Sequence, residues 1–243
     1  MKYGDNVDKL TIIVPIYNEE DCLLPLEEAL NSYISKAAYG VQVLLVNDGS
    51  RDNSQTLIED LCRRNRNFHF LQLSPNRGLS TALKAGFDHV QTPLVGYIDA
   101  DLQTTPEDFA LLMPFAEEYA MVLGIRTKRQ DDLVKRISSL IANAIRRQAT
   151  GDNCKDTGCP LKIIQTDYIR RIPFFNGMHR FLPALVMLEK GQIKQVPVRH
   201  FPRLAGVSKY HLFNRLLGPL ADTFAFVWMR KRYIHYRIVK TDE

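Results

Sequence analysis

The sequence has few cysteines, a single tryptophan and no long apolar run. Its four cysteines are too sparse for a disulfide framework and lack the paired C-x-x-C spacing of a zinc site, so we expect reduced thiols, as in a cytosolic protein. No stretch reaches ~18 uncharged apolar residues, so we expect no transmembrane helix. The first ten residues lack the apolar core of a secretory signal.

Two glycine-rich phosphate-binding motifs are absent as well. No G-x-G-x-x-G follows the first apolar segment, and G-x-x-x-x-G-K-[ST] occurs nowhere in the chain. The first motif is typical of dinucleotide-binding dehydrogenases, and the second is typical of P-loop enzymes. Both classes are therefore disfavoured.

The excess of positive charge is confined to the C-terminal part of the chain. From Arg199 onward there are nine Lys or Arg residues and three Asp or Glu residues, whereas the rest of the chain carries 23 and 24. This asymmetry suggests an anionic partner, a membrane surface or a solvated tail. Because the basic residues are terminal and are not interleaved with aromatic residues across a sheet, we expect no nucleic-acid partner.

Short apolar segments alternate with helical periodicity through the first half of the chain. Strands are predicted at 10–17, 41–46, 68–73, 94–99 and 121–125. Apolar positions spaced for one helix face lie between them, and again at 133–145. Near-continuously apolar strands alternating with helices predict an α/β fold with a mostly parallel sheet and helices on both faces. Ligands bind such sheets at the carboxyl ends of the strands.

Two carboxylates follow the fourth of these strands. Asp99 and Asp101 are separated by one residue, so in an extended chain both side chains point to the same face. An apolar strand would bury them unless they met a cation, and oxygen ligands suit Mg²⁺ or Mn²⁺, which keep positions open for substrate phosphates. The amide oxygen of Gln103 is a candidate third ligand. The sequence therefore predicts a divalent metal site here.

Two other polar clusters leave alternatives open. The segment 47–50, Asn-Asp-Gly-Ser, is good turn chemistry as well as a candidate site. The segment 76–86, NRGLSTALKAG, places a glycine at the start of a helix. Its backbone N–H groups could face an anion, or they could simply belong to a capped helix.

Several blocks together resemble glycosyltransferase family 2 enzymes of the GT-A fold. The blocks are VPIYNEE, VNDGSRDNS, NRGLSTALKAG and YIDADLQTTPED. Later blocks, GIRTKRQD, DTGCPLK, HRFLPAL and VPVRHFPRLAGVSKY, are similar to the branch of dolichol-phosphate mannose synthase and bacterial polyprenyl-phosphate glycosyltransferases. The resemblance implies a single GT-A domain over 8–210, with a nucleotide-sugar half at 8–125 and an acceptor half at 126–210.

The resemblance also assigns roles residue by residue. For donor binding it implies Pro15, Tyr17, Glu19, Asp48, Asp99, Asp101 and Gln103, of which Asp99, Asp101 and Gln103 hold the metal. Asn47 stands where many relatives have a second Asp, which leaves a UDP-sugar or a GDP-sugar open as the donor. For the phosphates of donor and acceptor it implies Arg126, Arg136, Arg203 and Lys209. The catalytic set it suggests is Asp101, Asp156 and Arg126.

The implied reaction moves a sugar, with inversion, to a polyprenyl phosphate such as undecaprenyl or dolichyl phosphate. Such a phosphate is already an anionic nucleophile at pH 7 and needs no strong base. An alternative acceptor is a saccharide hydroxyl, as in cell-surface polysaccharide synthesis, which would require a general base, with Asp156 as the candidate. A non-enzyme alternative is an inactive nucleotide-binding scaffold, against which the Asp99–Asp101 pair argues.

The C-terminal segment 211–243 is basic and amphipathic. Its apolar positions form a helical stripe interrupted at Gly218–Pro219, followed by basic residues; the stripe comprises Leu212, Phe213, Leu216, Leu217, Leu220, Phe224, Val227 and Trp228. Such a segment suits a bilayer interface, which predicts a cytoplasmic protein held peripherally on the inner face of the membrane. Core packing, a soluble tail or a contact in a homo-oligomer are the alternatives.

Overall fold

A computed structural model describes residues 8–127, 146–202, 217–234 and 239–240, with only the backbone of 217–220. Within these residues seven strands form one sheet, in the order β3-β2-β1-β4-β6-β5-β7. The strands are β1 (Asp8–Ile16), β2 (Gly40–Asn47), β3 (Phe68–Gln72), β4 (Leu94–Tyr97), β5 (Met121–Arg126), β6 (Lys162–Gln165) and β7 (Ile193–Val198). Strand β6 runs antiparallel to both of its neighbours, and every other pairing is parallel. The predicted mostly parallel sheet is confirmed.

Helices cover both faces of the sheet. They are α1 (Glu20–Lys36), α2 (Ser54–Arg64), α3 (Leu79–His89), α4 (Phe109–Leu112), α5 (Thr166–Arg171), α6 (Leu182–Leu188) and α7 (Leu217–Arg232). Successive residues of β1 serve opposite faces, as the two-residue period of a strand requires. Ile12 and Val14 belong to the core under α1 and α2, whereas Ile13 belongs to the core under α3, α6 and α7. This alternation is why the strand is apolar at nearly every position.

Pro15 lies near the carboxyl end of β1. Ile16 accepts a hydrogen bond from Asp48 of the β2 side, and Ile13 accepts one from Ile98 of the β4 side. Pro15 therefore faces the β4 side, beyond the last paired residues, Ile13 and Tyr97. Its missing N–H costs no ladder hydrogen bond.

Strand β4 ends at Tyr97, two residues earlier than predicted. Asp99 and Asp101 therefore do not lie on an extended strand, and that part of the prediction is wrong. Ala100 and Asp101 form a turn, and Leu102 takes a left-handed φ of 53°. The turn, not the pleat of a strand, brings the two carboxylates into one loop.

Helix α7 packs on the core through one side only. Phe226 is 1% exposed and stacks on Phe181 with ring centroids 5.7 Å apart. Phe224 and Trp228, both in the predicted stripe, are 75% and 63% exposed. Gly218 and Pro219, predicted to interrupt the helix, lie in the first described turn of α7.

Parts of the sequence prediction fall outside the described residues. These parts are the helix at 133–145, and Leu212, Phe213 and Leu216 of the C-terminal stripe. None of the described helices combines the length and the apolar character needed to cross a bilayer.

Candidate active site

The loops after β1 and β2 are bonded to one another. The backbone N–H of Asn18 donates to Ser50 Oγ at 2.9 Å, and the backbone N–H of Glu19 donates to Ser54 Oγ at 3.1 Å. Pro15, Tyr17 and Glu19 are partly exposed along this joint edge. The structure thus brings the predicted donor-binding residues of β1 to the carboxyl end of the sheet. Their contact with a nucleoside stays a prediction.

Asn47 is fully buried and serves the turn that follows β2. Its side-chain oxygen accepts from the backbone N–H of Ser50 at 2.9 Å, and its side-chain nitrogen donates to Gln55 at 2.7 Å. Both ends of the amide are therefore engaged within the protein. This position, where many relatives carry an Asp, stabilises a turn in this chain.

Asp48 binds the loop that leads into α3. Its Oδ1 accepts from the backbone N–H of Arg77 at 2.9 Å, and its Oδ2 accepts from the backbone N–H of Gly78 at 2.6 Å. The side chain of Asn76 donates to Oδ2 as well, at 2.8 Å. The anion that the N–H groups of Arg77 and Gly78 contact is thus the Asp48 carboxylate. Gly78 has a φ of 90°, which glycine adopts without strain. The predicted nucleoside contact of Asp48 stays a prediction, with most of the acceptor capacity of this carboxylate already used.

The loop after β4 places two carboxylates side by side. Tyr97 donates its hydroxyl to Asp99 Oδ1 at 2.7 Å, and Asp101 Oδ1 accepts from the backbone N–H of Gln103 at 3.1 Å. Burial raises the pKa of Asp99 to about 6, and the negative charge of Asp101 adds to this rise. The site therefore carries unfavourable negative charge that a cation would relieve.

Lys162 is the residue of this site that the sequence analysis did not assign. It is 1% exposed at the start of β6, and β6 pairs with β4 so that Lys162 lies opposite Tyr97. Its Nζ donates to the carbonyl of Cys159 and lies 5.3 Å from the centroid of the Tyr97 ring. Burial lowers the pKa of Lys162. The available signal was a lysine in an otherwise apolar strand segment, inside the DTGCPLK block.

Lys162 and Arg126 both act electrostatically on Asp99. Their positive charges lower its pKa, against the larger effects of burial and of Asp101. In return, the negative charge of Asp99 raises the pKa of both cations. The two carboxylates and two cations therefore form one electrostatic group at the carboxyl end of the sheet.

Arg126 and Asp156 form a forked ion pair. The guanidinium Nε and Nη2 donate to the two oxygens of Asp156, each at 2.8 Å, and the backbone N–H of Arg126 donates to Asp156 Oδ2 at 3.3 Å. The side chains are 13% and 7% exposed. Burial by itself lowers the pKa of Arg126, and the bonds to Asp156 more than offset this effect. The remaining N–H groups of Arg126 are available to a ligand.

The segment after β7 is hydrogen-bonded to the loop after β4. The carbonyl of Gln103 accepts from the backbone N–H of Phe201 at 3.0 Å and lies 3.1 Å from His200 Nδ1. Arg199 binds Asp108 through its backbone N–H at 2.8 Å and its Nε at 2.9 Å. Arg136, Arg203 and Lys209, predicted to bind phosphates, lie outside the described residues.

The side-chain oxygens in the loop after β4 suit a divalent ion that keeps coordination positions open for a ligand. Among the described residues no three His, Cys, Asp or Glu side chains converge. The charged metal ligands in this loop would therefore be the two carboxylates, Asp99 and Asp101. The side-chain amide of Gln103 makes no hydrogen bond to any described residue. Asp99 and Asp101 with this amide would leave coordination positions for phosphate oxygens, as Mg²⁺ and Mn²⁺ sites do.

The family of the chain follows from its sequence. The sequence profile described as glycosyl transferase family 2 matches residues 11–174, more than half of the chain. The chain belongs to glycosyltransferase family 2. The predicted family is thereby confirmed.

Two similar proteins carry the same name. Undecaprenyl-phosphate 4-deoxy-4-formamido-L-arabinose transferase of Shewanella sediminis is 32% identical over 216 residues, which are 88% of this chain and 65% of that protein. The protein of that name from Yersinia pestis is 31% identical over 225 residues, which are 91% of this chain and 68% of that one. The chain spans about two thirds of the length of these relatives. The predicted resemblance to the polyprenyl-phosphate branch is confirmed.

The fold is shared with glucosyl-3-phosphoglycerate synthase of Mycobacterium tuberculosis. Its complex with Mn²⁺, UDP-glucose and phosphoglyceric acid superposes with a TM-score of 0.69 at 12% identity, over 94% of this chain and 81% of that one. Its complex with Mg²⁺ and UDP gives the same TM-score and identity. At this identity the likeness shows the fold, and it confirms the predicted GT-A-like architecture.

The forked ion pair should make a large contribution to stability. Asp156→Asn leaves Arg126 buried without its counter-charge, and breaking one side of a buried pair costs about 3 kcal/mol or more. We expect a matching decrease in the free energy of unfolding, measured by urea denaturation at pH 7. The control is Asp60→Asn, whose ion pair with Arg63 is exposed and should contribute less than about 1 kcal/mol. Equal losses in the two variants would contradict this account.

Proposed function

We propose that this protein transfers a sugar from a nucleoside-diphosphate donor to a polyprenyl phosphate. The observation that carries the proposal is the electrostatic group of Asp99, Asp101, Lys162 and Arg126 at the carboxyl end of a family 2 sheet. This group offers oxygen ligands for a divalent ion next to cations that suit phosphate oxygens. The names of the relatives, which are undecaprenyl-phosphate sugar transferases, support the same acceptor class.

The donor side of the reaction follows from the chemistry of the leaving group. The bond between the anomeric carbon and the diphosphate oxygen breaks, and negative charge develops on that oxygen. Asp99, Asp101 and Gln103 would hold Mg²⁺ or Mn²⁺, which when bound stabilises this charge. Lys162 and Arg126 add fixed positive charge in a buried setting, where it acts strongly.

The acceptor side needs little proton chemistry. One oxygen of the acceptor phosphate forms the new bond to the anomeric carbon from the face opposite the leaving diphosphate, which inverts that centre. A phosphate monoester has a second pKa near 6, so its oxygen is already anionic at pH 7. No proton has to be removed in this step.

The contacts of Asp156 support a phosphate acceptor over a saccharide hydroxyl. A hydroxyl acceptor needs a general base, and Asp156 is the candidate that the sequence analysis names. Its carboxylate accepts three hydrogen bonds from Arg126, which stabilise the ionised form and weaken it as a base. We therefore assign Asp156 the role of orienting Arg126 toward a phosphate.

A product assay separates the acceptor classes. A panel of UDP- and GDP-sugars, including a nucleotide derivative of 4-deoxy-4-formamido-L-arabinose, is incubated with Mn²⁺ or Mg²⁺ and three acceptors. The acceptors are undecaprenyl phosphate, the parent alcohol undecaprenol, and an oligosaccharide. We expect labelled sugar in the lipid fraction with undecaprenyl phosphate and at least about a hundredfold less with undecaprenol, because the alcohol is a neutral nucleophile.

The same assay can contradict the proposal. Transfer to undecaprenol or to the oligosaccharide at the rate seen with the phosphate would favour the hydroxyl-acceptor alternative. An absence of product with every donor and acceptor would favour the inactive scaffold.

We also propose that α7 holds the protein on the inner face of the cytoplasmic membrane. Its exposed aromatic residues, Phe224 and Trp228, lie on one side of the helix, and Arg230, Lys231 and Arg232 follow. The Arg232 guanidinium lies 5.3 Å from the Trp228 ring. Aromatic residues next to basic ones suit an interface with anionic headgroups. This placement gives a water-insoluble acceptor a route to the site.

Vesicle co-sedimentation tests this placement. We expect the full chain to bind vesicles that contain anionic lipid at low salt and to bind less as salt rises, because screening shortens to about 8 Å at physiological ionic strength. Phe224→Ser with Trp228→Ser should reduce binding by roughly tenfold or more, since each removes apolar area from the interface. The matched control, Phe70→Ser, changes a half-buried aromatic residue of β3. Loss of dimers in the double variant, without any vesicle binding by the unmodified chain, would identify a homo-oligomer contact instead.

A further inference from the structure

Ser80 and His179 form a partly buried hydrogen-bonded pair that the proposed reaction does not yet use. Ser80 is the second residue of α3, directly after the loop held by Asp48, and it is 5% exposed. Its Oγ lies 2.9 Å from Nδ1 of His179. The backbone N–H of Gly177 donates to the same Oγ at 3.0 Å. The N-terminus of α3 is thereby joined to a turn about a hundred residues later in the chain.

These two contacts are consistent with a Ser80 hydroxyl that donates to Nδ1 of the imidazole. The hydroxyl of Ser80 accepts from Gly177, so its single proton is free to be donated to Nδ1 of His179. An imidazole that accepts at Nδ1 carries its own proton at Nε2 when it is neutral. Among the described residues, Nε2 has no hydrogen-bond partner. In this arrangement the pair presents one N–H donor.

The surroundings of His179 keep the ring neutral. Burial is the main reason why its pKa falls to about 3, and the positive charges of Arg180 and Lys162 lower it further. Arg180 is itself paired with Asp222, at 3.7 Å. Through its bond to Ser80 the ring lies at the start of α3, directly after the loop that Asp48 binds at the carboxyl end of the sheet. A bound phosphate in direct contact would favour the protonated ring, whereas a neutral donor suits an uncharged hydroxyl.

We propose that His179, oriented by Ser80, donates its Nε2–H to a hydroxyl oxygen of the transferred sugar. This inference rests on the proposed function and adds a residue that determines sugar specificity. The position is fixed from two sides, since Ser80 belongs to α3 and Gly177 takes a φ of 90°. A β-carbon at Gly177 would clash with the carboxylate of Asp222, so this turn requires glycine. A fixed donor that must be satisfied discriminates against a sugar that lacks the hydroxyl.

The tautomer can be measured without any substrate. In ¹⁵N-labelled full-length protein, long-range correlations of the imidazole distinguish an Nε2–H ring from an Nδ1–H ring and from a protonated one. We expect the His179 signal, assigned by its loss in His179→Gln, to show the neutral Nε2–H form from pH 8 down to pH 5. In Ser80→Ala we expect a mixture of tautomers. An Nδ1–H ring, or a ring protonated at pH 6, would overturn the proposed Nε2–H donor.

Kinetics test the contact with the sugar. The donor is the nucleotide-sugar that gives the most product in the acceptor assay, and the nucleoside diphosphate of that donor is measured separately as a competitive inhibitor. His179→Phe fills the volume without an N–H donor and should lower kcat/KM by roughly tenfold, as expected for one hydrogen bond. Inhibition by the nucleoside diphosphate should stay within about twofold, because it has no sugar. His179→Gln can place an amide N–H near Nε2 and should recover most of the loss.

Controls separate this role from a purely structural one. His89→Gln, at an exposed position at the end of α3, should change neither kcat/KM nor the melting temperature. Equal losses in His179→Gln and His179→Phe, or an equal loss of inhibitor binding, would overturn the sugar contact. If no nucleotide-sugar is turned over, the proposed function fails, while the tautomer measurement still tests the Ser80–His179 pair.

Discussion

The charges at the carboxyl end of the sheet depend on two buried cations. Asp99 and Asp101 follow an apolar strand, where burial and mutual repulsion oppose ionisation. Lys162 on β6 and Arg126 on β5 supply the opposing charge, and both positions follow from the strand order β4-β6-β5. Arg126 is in turn held by Asp156. A divalent ion and the phosphates of a substrate would add their charges to those of the carboxylates and cations. The strand order sets where Lys162 and Arg126 lie, and so it also sets the charge of the site.

Much of the fold and part of the site could be predicted from local sequence. The apolar segments of β1, β2, β3 and β5 predicted those strands to within about two residues, because strands buried on both faces need apolar residues throughout. Polar residues directly after two predicted strands, the second and the fourth, predicted Asp48 and Asp99 at one edge, since parallel strands share their carboxyl end. Gly78 predicted the start of α3.

The remaining features depend on contacts that are distant in sequence. Lys162 acquires its role because β6 pairs with β4, and neither its spacing nor its neighbours indicate that pairing. Asp48 was interpreted as a ligand contact, but its donors lie about thirty residues away in the loop 76–78. The early end of β4 reflects a turn at Ala100 and a left-handed Leu102, which are set by packing and not by a glycine. His179 belonged to a recognised block, but its partner Ser80 is known only from the fold.

Direct measurement of Mn²⁺ binding tests the central claim, that Asp99 and Asp101 bind a divalent ion together with a diphosphate. Electron paramagnetic resonance reports free Mn²⁺ in titrations of the full chain, with and without UDP or GDP. The account predicts that one of the nucleotides tightens Mn²⁺ binding, because its phosphate oxygens fill the open positions. It also predicts that Asp99→Asn and Asp101→Asn each weaken binding by tenfold or more, whereas Asp60→Asn, at an exposed position, does not. Mn²⁺ binding that is the same in all three variants and indifferent to both nucleotides would contradict it.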